Sequence, residues 1–397
     1  MLLALGIVMI VGATSAPLAL YETYKTEMGF SDFMLAAVAS CSVIGVIAAA
    51  VFAGRLSDAV GRRPVMLPGL GLAGLMLVLL AAARNVETLF AGRLIGGLAV
   101  GLFTGAATAA LAELSPDGDT RRAARTAAMA SVVGFASGPV VGGVFAQYLP
   151  WKLQLVYLAY GVLCLPALVG VVAMVETVRV RGPWTLRPQP LRTPPGGGRT
   201  FALGCLLALC AFSLTCMFQS LGPSIVIRLL DLDNRFFVTL IVASFLTTSA
   251  IAQLRLKHWP IRRASLTGLT LLPVGGLLIT LAVLTGSIEA FLAGCLVGGL
   301  GQGLTYLGGQ SLVELVAPAA IRAEVFGTYL IVVYMSGSAP ATMLGLVSKQ
   351  VGLHSAIVGY TIVVSSLAAS TLALCLLAVM RSEPDRRSEH VSVVGVP

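Results

Sequence analysis

Ala91-Gly92-Arg93-Leu94-Ile95-Gly96-Gly97-Leu98, followed by Gly101-Leu102, returns further along the chain as Ala293-Gly294-Cys295-Leu296-Val297-Gly298-Gly299-Leu300, followed by Gly303-Leu304. The second copy starts 202 residues after the first, from Ala91 to Ala293. Downstream, Glu113 and Glu314, Arg121 and Arg322, and Pro139 and Pro340 pair at an offset of 201. Both copies are apolar and lie inside stretches of membrane length. A duplication of that extent implies two related halves with a site between them, the plan of many secondary transporters.

Composition places those halves in lipid. The chain is 57% hydrophobic and 11% charged over 397 residues, with a mean hydropathy of +0.94, whereas a soluble domain is about 25% charged. A spanning helix takes about 20 mostly apolar residues. Twelve segments qualify: Leu2–Tyr21, Phe33–Phe52, Pro64–Ala83, Thr88–Ala110, Ala127–Gln147, Leu155–Val175, Phe201–Gly222, Phe236–Gln253, Ala264–Thr285, Ala290–Gly309, Val325–Val347 and Ala356–Met380. The alternating ten-residue pattern of a membrane β-barrel is absent. The expected fold is therefore an all-α integral membrane protein, with twelve transmembrane helices in two pseudo-symmetric six-helix bundles.

The halves are expected at residues 1–176 and 200–381. A loop at 177–199 joins them, and residues 382–397 form a polar, mobile tail. Five prolines (Pro183, Pro188, Pro190, Pro194 and Pro195) and Gly196-Gly197-Gly198 mark the joining segment, because such runs resist regular packing. With both termini in the cytoplasm, only Lys25, Arg84, Lys152, Arg228, Arg235 and Lys349 fall outside. Arg93 lies within a span, and the other nineteen of the 26 Lys and Arg fall inside. Positive charge collects in cytoplasmic loops, so the bias supports this topology in a cell membrane. The first apolar segment starts at Met1 without a basic flank and is read as a spanning helix, not a cleavable signal.

The same distribution excludes several function classes. The net charge of +9 is spread over the inner loops beside anionic lipid, and forms no nucleic-acid stripe. The seven Cys lie in spans without metal-ligand spacing. His258, His354 and His390 are scattered, so no catalytic set is in view. No Gly-x-x-x-x-Gly-Lys loop offers ATP drive. Neither enzyme nor cofactor is expected, and a proton gradient is the expected driving force. The expected partners are lipid and a small-molecule substrate, with one chain sufficient for function.

Three motifs remain. After the second span comes Gly54-Arg55-Leu56-Ser57-Asp58-Ala59-Val60-Gly61-Arg62-Arg63-Pro64. The fourth span holds Arg93-Leu94-Ile95-Gly96-Gly97, and the fifth holds Gly134-Phe135-Ala136-Ser137-Gly138-Pro139-Val140-Val141-Gly142-Gly143. These resemble, in order, the Gly-x-Leu-x-Asp-x-x-Gly-Arg-Arg loop, the Arg-x-x-x-Gly element and the Gly-Pro-x-x-Gly-Gly antiporter motif of the major facilitator superfamily, in its drug/proton efflux branch. Ala59 stands where that family usually has a basic residue, Gly96 where it often has Gln, and Arg125 where the long antiporter motif has Gly.

The resemblance implies a gate built on Gly54, Asp58, Gly61, Arg62 and Arg63, with Asp58 meeting the N-terminus of helix eleven near Arg322–Val325. It implies alternating access, with Gly134, Gly138, Pro139, Gly142 and Gly143 shaping a bent helix against the opposite half. The antiporter motif points to export.

No Asp or Glu sits mid-span. Glu113 is expected to pair with a loop arginine such as Arg62. Glu22, at the outer end of helix one, is expected to form a protonation-sensitive pair with Arg93, an intramembrane cation whose cost calls for a cavity or a partner. Helices one, four, seven and ten should line the cavity through Thr14, Ser15, Tyr21, Gln219, Gln302, Thr305 and Tyr306. So sparse a polar set in an apolar wall suits an amphipathic organic compound. Uptake of a small organic anion or metabolite, with Arg93 as charge partner, stays open beside export.

Overall fold

The computed structural model describes residues 2–53, 56–114, 120–178, 190–232, 234–318 and 321–391. Gly54 of the first motif lies outside them. In hydrocarbon every backbone N–H and C=O must be satisfied within its own segment, which leaves helices as the response to such apolar runs. The first half comprises α1 (Leu2–Ser15), a 3-10 turn at Ala16–Ala19, α2 (Tyr21–Met28), α3 (Asp32–Ala53), α4 (Leu56–Val60), α5 (Arg62–Ala81), α6 (Val86–Glu113), α7 (Thr120–Tyr148) and α8 (Leu155–Ala173). The second comprises α9 (Gly198–Leu229), α10 (Arg235–Arg255), α11 (Ile261–Thr285), α12 (Ile288–Val316), α13 (Arg322–Val351) and α14 (Leu353–Val391).

Among the described residues twelve helical spans are long and apolar enough to cross a membrane, six in each half. Alternate traversal puts the start of α1, the joining segment and the end of α14 on one face, called here the linker face. Helix one departs from the expected continuous span. Pro17 lacks an N–H, and the chain tightens into the 3-10 turn, closed by Leu20 N–H to the Pro17 carbonyl at 2.9 Å. α14 continues to Val391, so the break expected at residue 381 is not there. Residues 392–397 of the expected tail lie outside the described residues.

Helix association in lipid depends on close contact more than on hydrophobic burial, so small residues mark the seams. α3 and α6 meet at Gly45 and Gly97, where a methyl on Gly97 would strike the Ser42 carbonyl. α11 and α12 meet in the same way at Gly275 and Gly298. Leu75, Val78, Leu158, Val162 and Val169 are exposed on the outside of the bundle, where only lipid suits them.

The buried apolar residues divide unevenly. Away from the linker face they form one cluster through both halves, joining Tyr24, Leu35 and Tyr157 to Phe218, Phe245 and Leu344. Towards the linker face the core separates by half. One cluster holds Ile7, Met66 and Phe103, and another holds Phe201, Val313 and Tyr329. The halves are joined at one end and parted at the other.

Candidate functional site

Between the halves lies a cavity of about 390 Å³, walled by α1, α3, α6 and α7 from the first and by α9, α10, α12 and α13 from the second. Thr14, Ser15, Tyr21, Gln219, Gln302 and Tyr306 all line it. Thr305 does not. It is fully buried with its hydroxyl on the Gly301 carbonyl at 2.8 Å, and it faces α11 at Gly268.

The lining is wider than helices one, four, seven and ten. It adds Ser42, Ser131, Ser249, Gln253 and Tyr334 from other spans, and Thr104 and Thr215 from the fourth and seventh. One signal for them was legible: Ser249 and Gln253 are a polar pair four residues apart in an apolar span, which puts both on one face. Gln253 donates to Ser249 at 3.1 Å, and Ser249 donates to Gln302, linking α10 to α12. Gln253 also carries the lining almost to the linker-face end of α10.

Arg93 is the only charged side chain among the described lining residues and is 7% exposed. Its guanidinium donates to the Thr14 carbonyl, to Ser42 Oγ at 2.8 Å and to the Ala39 carbonyl at 3.4 Å. It also stands 5.9 Å from the centre of the Tyr21 ring. Nε has no acceptor.

Glu22 is not its partner, contrary to the expected pair. The 3-10 turn and α2 carry the Glu22 carboxylate to the second half, where Ser224 Oγ donates at 2.5 Å and Arg228 Nε lies at 3.4 Å. Arg228 also reaches Asp32 at 2.8 Å, and Lys25 pairs with Asp32. Arg235 completes the closure, its backbone N–H on Gln147 at 2.9 Å and its guanidinium on Thr23. About two turns deeper along α3 from Asp32, Ser40 touches Thr342 of α13 at 3.2 Å. All of these contacts but Lys25–Asp32 cross between the halves, and all lie at the end away from the linker face.

At the linker face, among the described residues, the ion pairs stay within a half, apart from Arg192 of the joining segment, which pairs with Glu324 of α13 at 3.2 Å. Arg62 pairs with Glu113 at 2.6 Å, donates to Ser57 at 2.7 Å and pairs with Asp58. Asp58 is 62% exposed and turned to its own half, not seated on the N-terminus of α13. The parting of the halves removes that seat. Glu176, which follows α8, accepts from the backbone N–H groups of Arg62 at 2.9 Å and Arg63 at 3.0 Å, so it caps α5. Gly61 is needed twice over. Its φ is +120°, and a Cβ there would lie 2.7 Å from Glu176 Oε2. Burial would raise the Glu176 carboxyl, but the N–H groups of Arg62, Val178 and Arg63 outweigh it and hold the group below the usual glutamate range. Glu314, the repeat counterpart of Glu113, pairs with no arginine among the described residues. It accepts from Gln310 at 3.3 Å on the surface.

The antiporter-like glycines also depart from expectation. Gly134, Gly138 and Gly142 press on α1 and its 3-10 turn, within their own half; a Cβ on Gly142 would lie 2.6 Å from the Ala16 carbonyl. Only Gly143 meets the opposite half, at Thr239 and Arg235. Four-residue spacing sets the first three on one helix face, and Gly143, one residue on, points elsewhere. Pro139 lines the cavity inside α7.

Comparison with known proteins fits this architecture. The chain is 23% identical over 318 residues to the multidrug resistance protein MdtL of Klebsiella pneumoniae (strain 342), covering 79% of each. It is 29% identical over 145 residues to the cephamycin export protein CmcT of Amycolatopsis lactamdurans, which is 36% of this chain and 30% of that one. The chain thus spans about a third of the length of one of these relatives and about four-fifths of the other. In fold it is similar to a POT family transporter solved with a thioalcohol-conjugated peptide, with a TM-score of 0.75 at 15% identity over 94% of both chains. The profile of the Major Facilitator Superfamily matches residues 1–342. Two six-helix bundles around one shared cavity are thus the body of a multi-pass membrane transporter rather than an enzyme, and the chain belongs to the Major Facilitator Superfamily.

Proposed function

We propose that this transporter exports a small amphipathic organic compound across the plasma membrane by alternating access, driven by a proton gradient. The linker face is taken as cytoplasmic, from the nineteen basic residues on that side. The observation that carries the reading is the cavity itself. It is apolar with a few polar side chains, bolted shut at the outer end by Glu22, Asp32, Arg228 and Arg235, and it reaches the inner end of α10 at Gln253. That is a state poised to load from the cytoplasm. The reading draws its direction from the antiporter-like motif and from relatives whose names denote export and multidrug resistance.

The protonation-sensitive carboxylate in this reading is Glu22, with Arg228 and Ser224 as its partners in place of Arg93. Protonating Glu22 removes one charge from a cluster that also holds Asp32, Lys25 and Arg228, and so loosens the outer closure. Both gates and the cavity are built within one chain, which is consistent with a working monomer.

Everted membrane vesicles test the proposal. A proton gradient, acid inside, should drive accumulation of a compound to which overexpression of the transporter confers resistance, and Glu22→Gln should uncouple that accumulation from the gradient while leaving downhill flux. Gradient-driven movement in the opposite sense only would reverse the direction, and unchanged coupling in Glu22→Gln would dismiss the carboxylate.

A further inference from the structure

We infer that the cavity takes compounds bearing an anionic group, a carboxylate or its equivalent, and that Arg93 is the residue that receives it. This rests on the cavity being the substrate site. Arg93 is nine-tenths buried, and among the described residues no Asp or Glu pairs with it or lines the cavity. All three of its hydrogen-bond acceptors are neutral: the Thr14 and Ala39 carbonyls and the Ser42 hydroxyl. A guanidinium has five N–H donors, and Nε is one that lacks an acceptor.

A buried cation solvated only by neutral dipoles keeps its whole charge uncompensated. Placing a cation within a span costs about 2.5–3.5 kcal/mol on insertion scales, and it persists where it serves a pathway or a ligand. The fold does not demand it, because the second half holds Cys295 at the matching position, buried and uncharged. Other charged groups nearby are already committed, with Glu22 and Asp32 on Arg228. A ligand carboxylate would be the missing counter-charge, and charge-assisted pairs with arginine are the stronger kind of hydrogen bond. The surrounding wall, Val43, Val100, Phe135 and Leu246, suits the apolar body of such a compound.

Matched pairs differing only in charge provide the test: 2-naphthoate against 2-naphthamide, and 4-phenylbutyrate against 4-phenylbutyramide. Each is titrated at pH 7 against the purified full chain in nanodiscs, with thermal stabilisation as the readout. The carboxylate of at least one pair should half-saturate at about tenfold lower concentration than its amide, a difference of ~1.4 kcal/mol. Arg93→Cys, the residue the second half already carries, should bring that ratio to about one. Modification of the new thiol with an ethylammonium methanethiosulfonate should restore the preference, while the same reagent leaves the wild-type ratio in place. Arg93→Lys should keep part of it, which maintains the test if the cysteine variant does not fold.

No carboxylate preference in either pair, including no binding by any of the four compounds, overturns the inference. So does a preference that survives in Arg93→Cys. These equilibrium measurements use no gradient. An exporter of neutral compounds would pass the vesicle assay and fail here, whereas an importer of organic anions would do the reverse.

Discussion

The two ends of the molecule use the same chemistry to opposite effect. Away from the linker face, Arg228 of the second half lies between Glu22 and Asp32 of the first, Arg235 reaches Thr23, and the apolar core runs unbroken from Tyr157 to Phe218. At the linker face, Arg62 holds Asp58 and Glu113, Glu176 caps α5, and every one of these residues precedes α9. Ion pairs between halves bolt a gate, whereas ion pairs inside a half stiffen a body that moves. The difference leaves the halves fastened away from the linker face and parted at it, with Asp58 paired inside its own half.

The largest effect should come from making the outer contact permanent. Cysteines at positions 40 and 342, where Ser40 and Thr342 touch at 3.2 Å, should crosslink on oxidation in a background freed of native thiols. Transport should stop and return on reduction; flux that continues through the crosslinked pair would show that the outer ends need not part.

Arg228→Ala comes next. It leaves the Glu22 and Asp32 carboxylates, both largely buried, without their shared cation, at a cost of roughly 1–3 kcal/mol to the outward-closed state. A membrane-impermeant maleimide applied from the outer side should then label a cysteine at Gln219 about tenfold faster, since ~1.4 kcal/mol is a factor of ten. An unchanged labelling rate would mean that the apolar core, and not the charge cluster, holds the gate.

The smallest effect belongs to the linker face. Glu176→Gln weakens the cap on α5 and should lower stability by about 1 kcal/mol. The folded-state carboxyl is held below its unfolded value. Its contribution is therefore complete above the unfolded glutamate range and disappears as pH falls through the folded value. Melting curves of wild type and variant should differ at neutral pH and converge in acid. A gap that persists in acid would show that the oxygen, and not its charge, makes the cap.

Much of the fold was readable because lipid leaves a chain few choices. Twelve apolar runs, a repeat displaced by 202 residues and the one-sided basic loops are properties of linear order. The pairing of Arg62 with Glu113 lay within the same reach, since a hairpin brings one to the other within a single half. Glu22 was not. Its partners, Ser224 and Arg228, lie some two hundred residues away in the other half, and the turn at Pro17 decides where the carboxylate points. The antiporter-like glycines misled for a related reason, because spacing shows that they share a helix face but not which neighbour that face meets.

Taken alone, the order of residues determined the solvent, the number of crossings, the two-fold plan and the presence of one costly cation at position 93, because hydropathy and charge act locally along a helix. The tertiary structure alone decided which carboxylates bolt the end away from the linker face, which helices supply the rest of the cavity wall, and that Arg93 lies there without a counter-charge among the described residues. Those outcomes depend on how two rigid bundles are inclined towards each other, and a tilt between bodies leaves no mark in the periodicity of either one.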